Sequence, residues 1–448
     1  MVNESLNAAR VLMGDSLGFH IIFVLFGLTL PILVSWFEFM GLKNKDPKLI
    51  SIAKFWSKIM TVLVIAGVIS GTIIALQMSL VWPGILKFGG EVIGLPFLFE
   101  TYAFLIEAVF LALYMATWNS NRFAGWRHWV LSVFVVIGST LSAYAITSVN
   151  GFMNLPKGFD YIDGKLVNIN VWEAMFSQTS LVEFFHSMPG YYVAATLLII
   201  SLYAFKLLRA KPDQRSANKY KYDWLVVRKL MIFTAMMFVL SGVTADITGK
   251  YLAKHEPSKL AAIELNYNTR TNAPLLIGGV AGDNQSINGP YFEIPSALSF
   301  LAGNSAKTEV KGLNEYKNSE LPPLYIHTLF DIKMTIITFL ALLFIAYFTI
   351  SKLRPTWRNR NWFLIPIALT SILGIVIVEL GWMMTEIGRQ PWAVRGYLTT
   401  SEALTKTNDI TNFGYFFPIS YLVLFIVTIL AVRKIIQEQS KNEKRSTK

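Results

Sequence analysis

Polar residues punctuate the chain at wide intervals, and between them lie nine apolar runs. They cover about 16–40, 55–80, 95–118, 128–149, 180–207, 225–245, 326–350, 362–385 and 413–433. A helix needs roughly 20 predominantly apolar residues to cross a bilayer, and each run reaches or approaches that length. The predicted fold class is therefore all-α, a polytopic membrane helix bundle of about nine transmembrane helices. The first run reads as a retained helix. The chain opens on Met1-Val-Asn-Glu4 with no basic n-region, the run exceeds a typical signal h-region and no A-x-A site follows. No internal repeat is evident, which gives an inverted-repeat transporter no support.

Composition agrees with this pattern. Hydrophobic residues make up 54% and charged residues 15% of the 448-residue chain, with a mean hydropathy of +0.47. Soluble domains carry about 25% charged residues, and a soluble protein of this size could not hide so many apolar side chains. Cys is absent. Disulfides, thiolate nucleophiles, iron–sulfur clusters, zinc–cysteine sites and covalently attached c-type haem are excluded with it.

The net charge of +12 would suit nucleic acid, but its distribution argues for a lipid bilayer and against a nucleic-acid partner. Basic residues cluster in short loops: Lys43 to Lys58, Arg122 and Arg127, Lys206 to Lys229, Lys352 to Arg360, and a tail from Arg433 to Lys448. All fall on one side of a nine-span topology, which the positive-inside rule makes cytoplasmic. The N-terminus is then outside and the C-terminus inside. Three segments follow: 1–245 with six spans, a long external segment 246–325, and 326–448 with three spans and the basic tail. The external segment is too long for a simple connection and carries apolar patches, Leu260-Ala-Ala-Ile263 and Pro274-Leu-Leu-Ile277. Partial order and a binding role are expected of it.

Ionisable groups inside spans are costly, so each is a functional candidate. Glu100 and Glu107 are seven residues apart, close to two helical turns, and face one side of the third span about 10 Å apart. A carboxylate ladder with no nearby cation suits proton transfer or a metal centre. Glu379 and Glu386 repeat the spacing in the eighth span, where Trp382, Glu386 and Arg389 share one face. An ion pair between Glu386 and Arg389 at a helix end, before Pro391, is the plain reading there.

Of five His, His128 lies in a cytoplasmic Trp126-Arg-His-Trp129 run and His255 in the external segment, and both read as interfacial or solvated. His20 and His186 sit within spans and are candidates for haem iron, which His commonly ligates. Met334 in the seventh span gains interest as a His/Met haem partner, with His327 on the same face as the alternative. Asp331 and Lys333 nearby read as a local ion pair. Haem–copper oxidases and cytochrome b need several helix-borne His in close pairs, which this chain lacks.

Two strings then carry a resemblance over essentially the whole chain. Gly381-Trp-Met-Met-Thr-Glu-Ile-Gly-Arg-Gln-Pro-Trp392 resembles the GWxxxExGRQPW signature of subunit I of the cytochrome bd quinol oxidases. Lys259-Leu-Ala-Ala-Ile-Glu264 resembles the KLAAxE stretch of that family's external quinol loop. The resemblance implies a respiratory terminal oxidase subunit of the bacterial cytoplasmic membrane, multi-pass. It would oxidise quinol on the outer side and reduce O2 to water with cytoplasmic protons, generating proton motive force without pumping.

It also implies roles. His186 and Met334 match the axial pair of a low-spin b haem; His20 and Glu386 match the axial ligands of a high-spin b haem and a haem d, in an order left open. Glu100 and Glu107 match carboxylates beside that di-haem centre and on its proton route. Trp382 and Arg389 match residues between or beside the haems, and Lys259 and Glu264 match quinol-loop residues. The cofactors would be two b-type haems and one haem d. The partners would be a second large membrane subunit, subunit II, and a single-helix small subunit. The chain departs from the family near Met334, where an Arg often precedes the Met and a Gly-rich run follows. Asp331-Ile-Lys333 and Thr-Ile-Ile-Thr stand there instead. The loop is of the short kind, with Glu256-Pro257 in place of Gln-Pro. The competing reading is an ion-coupled transporter using the same carboxylates, but no matched pair of broken helices supports it.

Overall fold

The computed structural model describes residues 2–406 and 410–446; Thr447 and Lys448, the end of the basic tail, lie outside them. Among the described residues nine helices are long and apolar enough to cross a membrane, in the order the apolar runs predict. The chain forms two compact units, one running to Leu181 and resuming at Thr400, the other spanning Val182–Thr399.

The first unit holds α1 (Val2–Lys43), α2 (Pro47–Val81), α3 (Pro83–Ala116) and α4 (Trp126–Asn154). α1 begins well ahead of its apolar run. Its polar first turns are rich in helix formers, and Glu4 sits where the helix dipole favours an acid. The Asp46 side chain accepts the Lys48 N–H at 2.9 Å and Pro47 opens α2. Pro83 starts α3 and disfavours helix at Trp82, so the chain turns there. Gly125, at φ 65°, makes the turn into α4.

Lipid tails are as apolar as Leu, so close packing and small residues, rather than water exclusion, hold spanning helices together. Gly138 of α4 shows this: a Cβ there would lie 2.6 Å from the Glu107 nitrogen of α3. The first unit's last helix in chain order, Ile410–Ser446, is introduced below as α10. Its Tyr421 hydroxyl donates to the Ser70 carbonyl at 3.1 Å.

The second unit contains most of α5 (Gln178–Leu208), then α6 (Lys221–His255), α7 (Pro257–Ile263), α8 (Ile326–Leu353) and α9 (Asn361–Ile387). α9 meets α5 at Gly374, where a Cβ would stand 2.9 Å from the Ala194 Cα. α6 continues to His255, so the first ten residues of the predicted long loop are helix; Pro257 ends that helix and begins α7. Beyond it, β1 (Leu275–Ala281) pairs antiparallel with β2 (Ile287–Ile294), with a register shift between Gly278 and Val280. Gly278 and Gly279 adopt φ 81° and 79° there, a conformation that favours glycine. Ala261, Ala262, Ile263, Leu265, Tyr267 and Leu276 form a buried cluster with Ile326 of α8 and Met384 of α9. The Leu260–Ile263 patch read from the sequence is thus core, whereas of Pro274–Ile277 only Leu276 is buried and Ile277 turns outward.

The final helix, α10 (Ile410–Ser446), runs on from its apolar run into the basic tail, because Lys, Arg, Glu and Gln are good helix formers.

Two polar residues sit differently from their sequence reading. His128 is buried, not solvated. Its Nδ1 lies 2.6 Å from Glu38 Oε1, its Nε2 donates to the Tyr114 carbonyl at 3.0 Å, and it stacks on Tyr114. The cause is tertiary: α1 supplies a buried carboxylate that sequence places ninety residues away. Arg215, one of the loop cations, is 1% exposed. Its guanidinium donates to the carbonyls of Leu207, Ala210 and Leu208 at the end of α5, and to Asn359 and Asn361 beside α9. It satisfies carbonyls that a helix end leaves without partners.

Candidate functional site

The imidazoles sort into two kinds. His20 of α1 approaches Ser70 of α2, Nδ1 to Oγ 2.8 Å. The Ser70 hydroxyl donates its one hydrogen to the Gly67 carbonyl, so it accepts from His20 Nδ1–H. The Nε2 lone pair is left available, with no partner among the described residues. Gly71 keeps room at this edge, since a Cβ there would press to 3.2 Å from His20 Cε1. His186 of α5 repeats the arrangement with Thr244 of α6. Nδ1 lies 3.3 Å from Thr244 Oγ1, which itself donates to the Leu240 or Ser241 carbonyl. Its Nε2 is presented in the same way. Orienting one ring nitrogen so that the other offers its lone pair is how protein metal sites prepare His.

His128 and His327 are the opposite kind, with both nitrogens held by protein oxygens. His327, 0% exposed, has Nδ1 at 2.7 Å from the Ile263 carbonyl and Nε2 at 3.1 Å from the Gly278 carbonyl. Met334 lies on an open face of α8, 41% exposed. Lys333, beside it, is near enough to His186 to act on it electrostatically.

On α3, Glu107 is buried and Glu100 half-buried. Neither carboxylate has a hydrogen-bond or ion-pair partner among the described residues. Tyr114 continues their face one step further, fully buried, and its hydroxyl donates to Glu38 Oε2 at 2.7 Å.

The structure brings the Lys259–Glu264 stretch and the Gly381–Trp392 string together. Lys259, 5% exposed, rests its chain on the string's Gly388, where a Cβ would lie 2.7 Å from Lys259 Cε. Lys259 Nζ reaches Glu256 Oε2 at 3.3 Å, and Arg395 Nη2 lies 2.9 Å from the same oxygen while donating to the Gly388 carbonyl at 3.1 Å. Glu386 and Arg389 form the expected ion pair at the end of α9, but not as surface chemistry. Arg389 is 4% exposed, and its Nε and Nη1 have no hydrogen-bond partner among the described residues. Trp382 is half-buried one turn earlier. Glu264 follows α7 with both carboxylate oxygens buried and without a hydrogen-bond partner among the described residues. Burial first, and the Asp331 carboxylate second, push its carboxyl up to about 8.

Sequence reasoning missed Glu38, Glu256 and Arg395. Glu38 lies within the first apolar run, so the cost of an intramembrane carboxylate was a usable signal. Glu256 was visible as the departure from Gln-Pro in the external loop, but its pairing with Arg395 had no signal, because only the fold joins them.

These donors fit haem. Two imidazoles offer an oriented Nε2, a thioether lies on an open helix face, a carboxylate sits at a helix end, and a buried guanidinium has two N–H groups unused, suited to a propionate.

The chain matches the family model described as cytochrome bd terminal oxidase subunit I over residues 8–440. It is 33% identical over 421 residues, 94% of each chain, to a Bacillus subtilis (strain 168) protein provisionally named cytochrome bd menaquinol oxidase subunit I. It is 27% identical to cytochrome bd ubiquinol oxidase subunit 1 of the same organism, over 95% of this chain and 93% of that one. Among solved structures it resembles the bd oxidase from Geobacillus thermodenitrificans, with a TM-score of 0.89 and 34% identity, covering 97% of this chain and 98% of that one. With the haem-competent residues and the nine apolar helices, these matches establish that the chain belongs to the cytochrome bd terminal oxidase subunit I family, as a multi-pass, haem-bearing quinol oxidase subunit of the bacterial cytoplasmic membrane that works with a subunit II.

Proposed function

We propose that this chain takes electrons from quinol at the outer side of the membrane and delivers them to O2, with the protons for water drawn from the cytoplasm. The observation that carries this reading is the seat of Lys259 on Gly388, which joins the quinol-loop stretch to the haem-binding string within one unit. Residues 246–325 are the external quinol-binding segment, between six spans in 1–245 and three in 326–448. The N-terminus is outside and the basic tail inside, on the strength of the basic loops.

When bound, two b-type haems and one haem d would supply one-electron transfer and the reduction of O2. His186 and Met334 hold the low-spin b haem. His327 is a poor substitute for Met334, because the protein engages both its ring nitrogens. His20 and Glu386 hold the high-spin b haem and haem d. Arg389 would offer its unused N–H groups to propionates, and Trp382, on the same helix face as Glu386, would stand beside the haem that Glu386 holds. Glu100 and Glu107 hold and pass protons inward, a role their lack of partner cations favours. Glu264 is the base for quinol, and Lys259 orients the quinol oxygen. Quinol protons are released outside and water's protons are taken from inside. Charge separation follows without a pump. A single-helix small subunit completes the complex.

The test is a reduced-minus-oxidised visible spectrum of membranes carrying this chain with its subunit II. A b-haem band and a far-red chlorin band that shifts with CO are expected. A folded complex with b haem and no chlorin would remove the O2-site assignment, and one with no haem would remove the proposal.

A further inference from the structure

His327 and Asp331 lie one turn apart at the start of α8, where the family often places an Arg before the Met. Neither is used by the function proposed above. His327 Nδ1 holds the carbonyl of Ile263, the residue that leads into Glu264. Its Nε2 faces the Gly278 carbonyl at 3.1 Å and Asp331 Oδ2 at 3.3 Å. A carbonyl can only accept, so the ring presents N–H on both sides, and the Asp331 carboxylate balances the charge. Asp331 Oδ2 also accepts the Gly278 N–H of β1 at 2.7 Å. The pair, His327 buried and Asp331 half-buried, thus ties α7, β1 and α8 together beside Glu264, whose own carboxylate oxygens have no hydrogen-bond partner among the described residues.

We propose that the His327–Asp331 pair governs how readily Glu264 accepts the quinol proton, His327 by fixing the backbone that carries Glu264 and Asp331 by the negative charge it sets against it. The proposal rests on Glu264 being the base for quinol. Each quinol oxidised gives up two electrons, which the oxidase passes to O2, and two O–H protons, which need an acceptor at the site. A Glu264 that ionised too easily would be a weak base. One facing Asp331 is a stronger base, and the nearby imidazolium keeps that effect in bounds. The other titratable groups on the surrounding elements are Glu256 and Lys259 at α7, Tyr267 in the same buried cluster, Glu293 on β2, Lys333 on α8, and Glu379, Glu386, Arg389 and Arg395 on and after α9. Glu256 is committed to Lys259 and Arg395, and Glu386 to Arg389.

The experiment is the pH profile of quinol kcat/KM for the purified complex, with haem spectra as the check on assembly. In the native enzyme the acidic limb reports Glu264, and E264Q should remove it. D331N keeps an oxygen for the Gly278 N–H and deletes only the charge, so the limb should move to lower pH, with kcat/KM at pH 6.5 severalfold above native. H327Q deletes the compensating cation, so the limb should move to higher pH. Loss of packing alone would not send the two variants in opposite directions. Either variant that assembles decides the matter, and a limb left in place by it would overturn the proposal while leaving Glu264 as the base. A limb that survives E264Q would instead remove the reading beneath it.

Discussion

At the scale of single residues, a hydroxyl decides what an imidazole can do. Ser70 and Thr244 each spend their hydrogen on a helix carbonyl and so accept from the His beside them, leaving the Nε2 lone pair available for the proposed haem ligation. Loss of such a partner typically costs 10–100-fold in metal affinity. S70A should therefore lower haem content per complex while the protein still assembles, measured by haem extraction. H186A should delete the low-spin b signal altogether, and a persistent signal would reassign that ligand. Glu264 is testable at the same scale. E264Q should cut kcat by about 100-fold or more while quinol still binds. Its stability effect has a defined sign. Glu264 titrates near 8 in the folded protein against 4.5 ordinarily. The unfolded chain therefore releases its proton first, and the native state loses stability as pH rises from about 4.5 to about 8. E264Q should melt progressively above native across that window and show no such gain below it.

Helices are joined here by a few specific contacts. Arg215 ties the end of α5 to the start of α9 through five donor contacts, three of them to carbonyls at and just beyond the end of α5. R215A leaves those buried carbonyls without partners, at about 1–3 kcal/mol each when no water replaces the donor. R215K cannot reproduce a planar fork of donors. Both variants should lower the melting temperature of the detergent-solubilised complex, with the haem spectrum unchanged below the transition. A melting temperature equal to native would show that Arg215 is a bystander. Sequence reading placed Arg215 among the loop cations because a charge count carries no information on where a side chain points. His128 was misjudged in the same way, its partner Glu38 being supplied by another helix.

At the scale of the whole molecule, the proposed orientation has a direct test. The chain has no Cys, so a single introduced Cys reports alone. S286C, in the hairpin connection of the external segment, should react with a membrane-impermeant maleimide in intact cells. K434C, beyond the last apolar run, should react only after the membrane is opened. The reverse pattern would invert the orientation and, with it, the direction of proton release.

Number, order and approximate limits of the spanning helices were legible in the sequence, because a bilayer accepts only long apolar helices and the polar breaks between them are unmistakable. The Gly381–Trp392 and Lys259–Glu264 strings were legible too, since they are contiguous. Glu100 and Glu107 could be placed on one face from helical period alone. Which imidazoles offer a nitrogen, which are already taken, and what surrounds Glu264 depended on hydrogen bonds between residues far apart in the chain. Ser70 and His20, Thr244 and His186, Ile263 and His327 meet only once helices pack. Periodicity fixes a residue's face, whereas its partner is set by the neighbouring helix that the folded protein brings against that face.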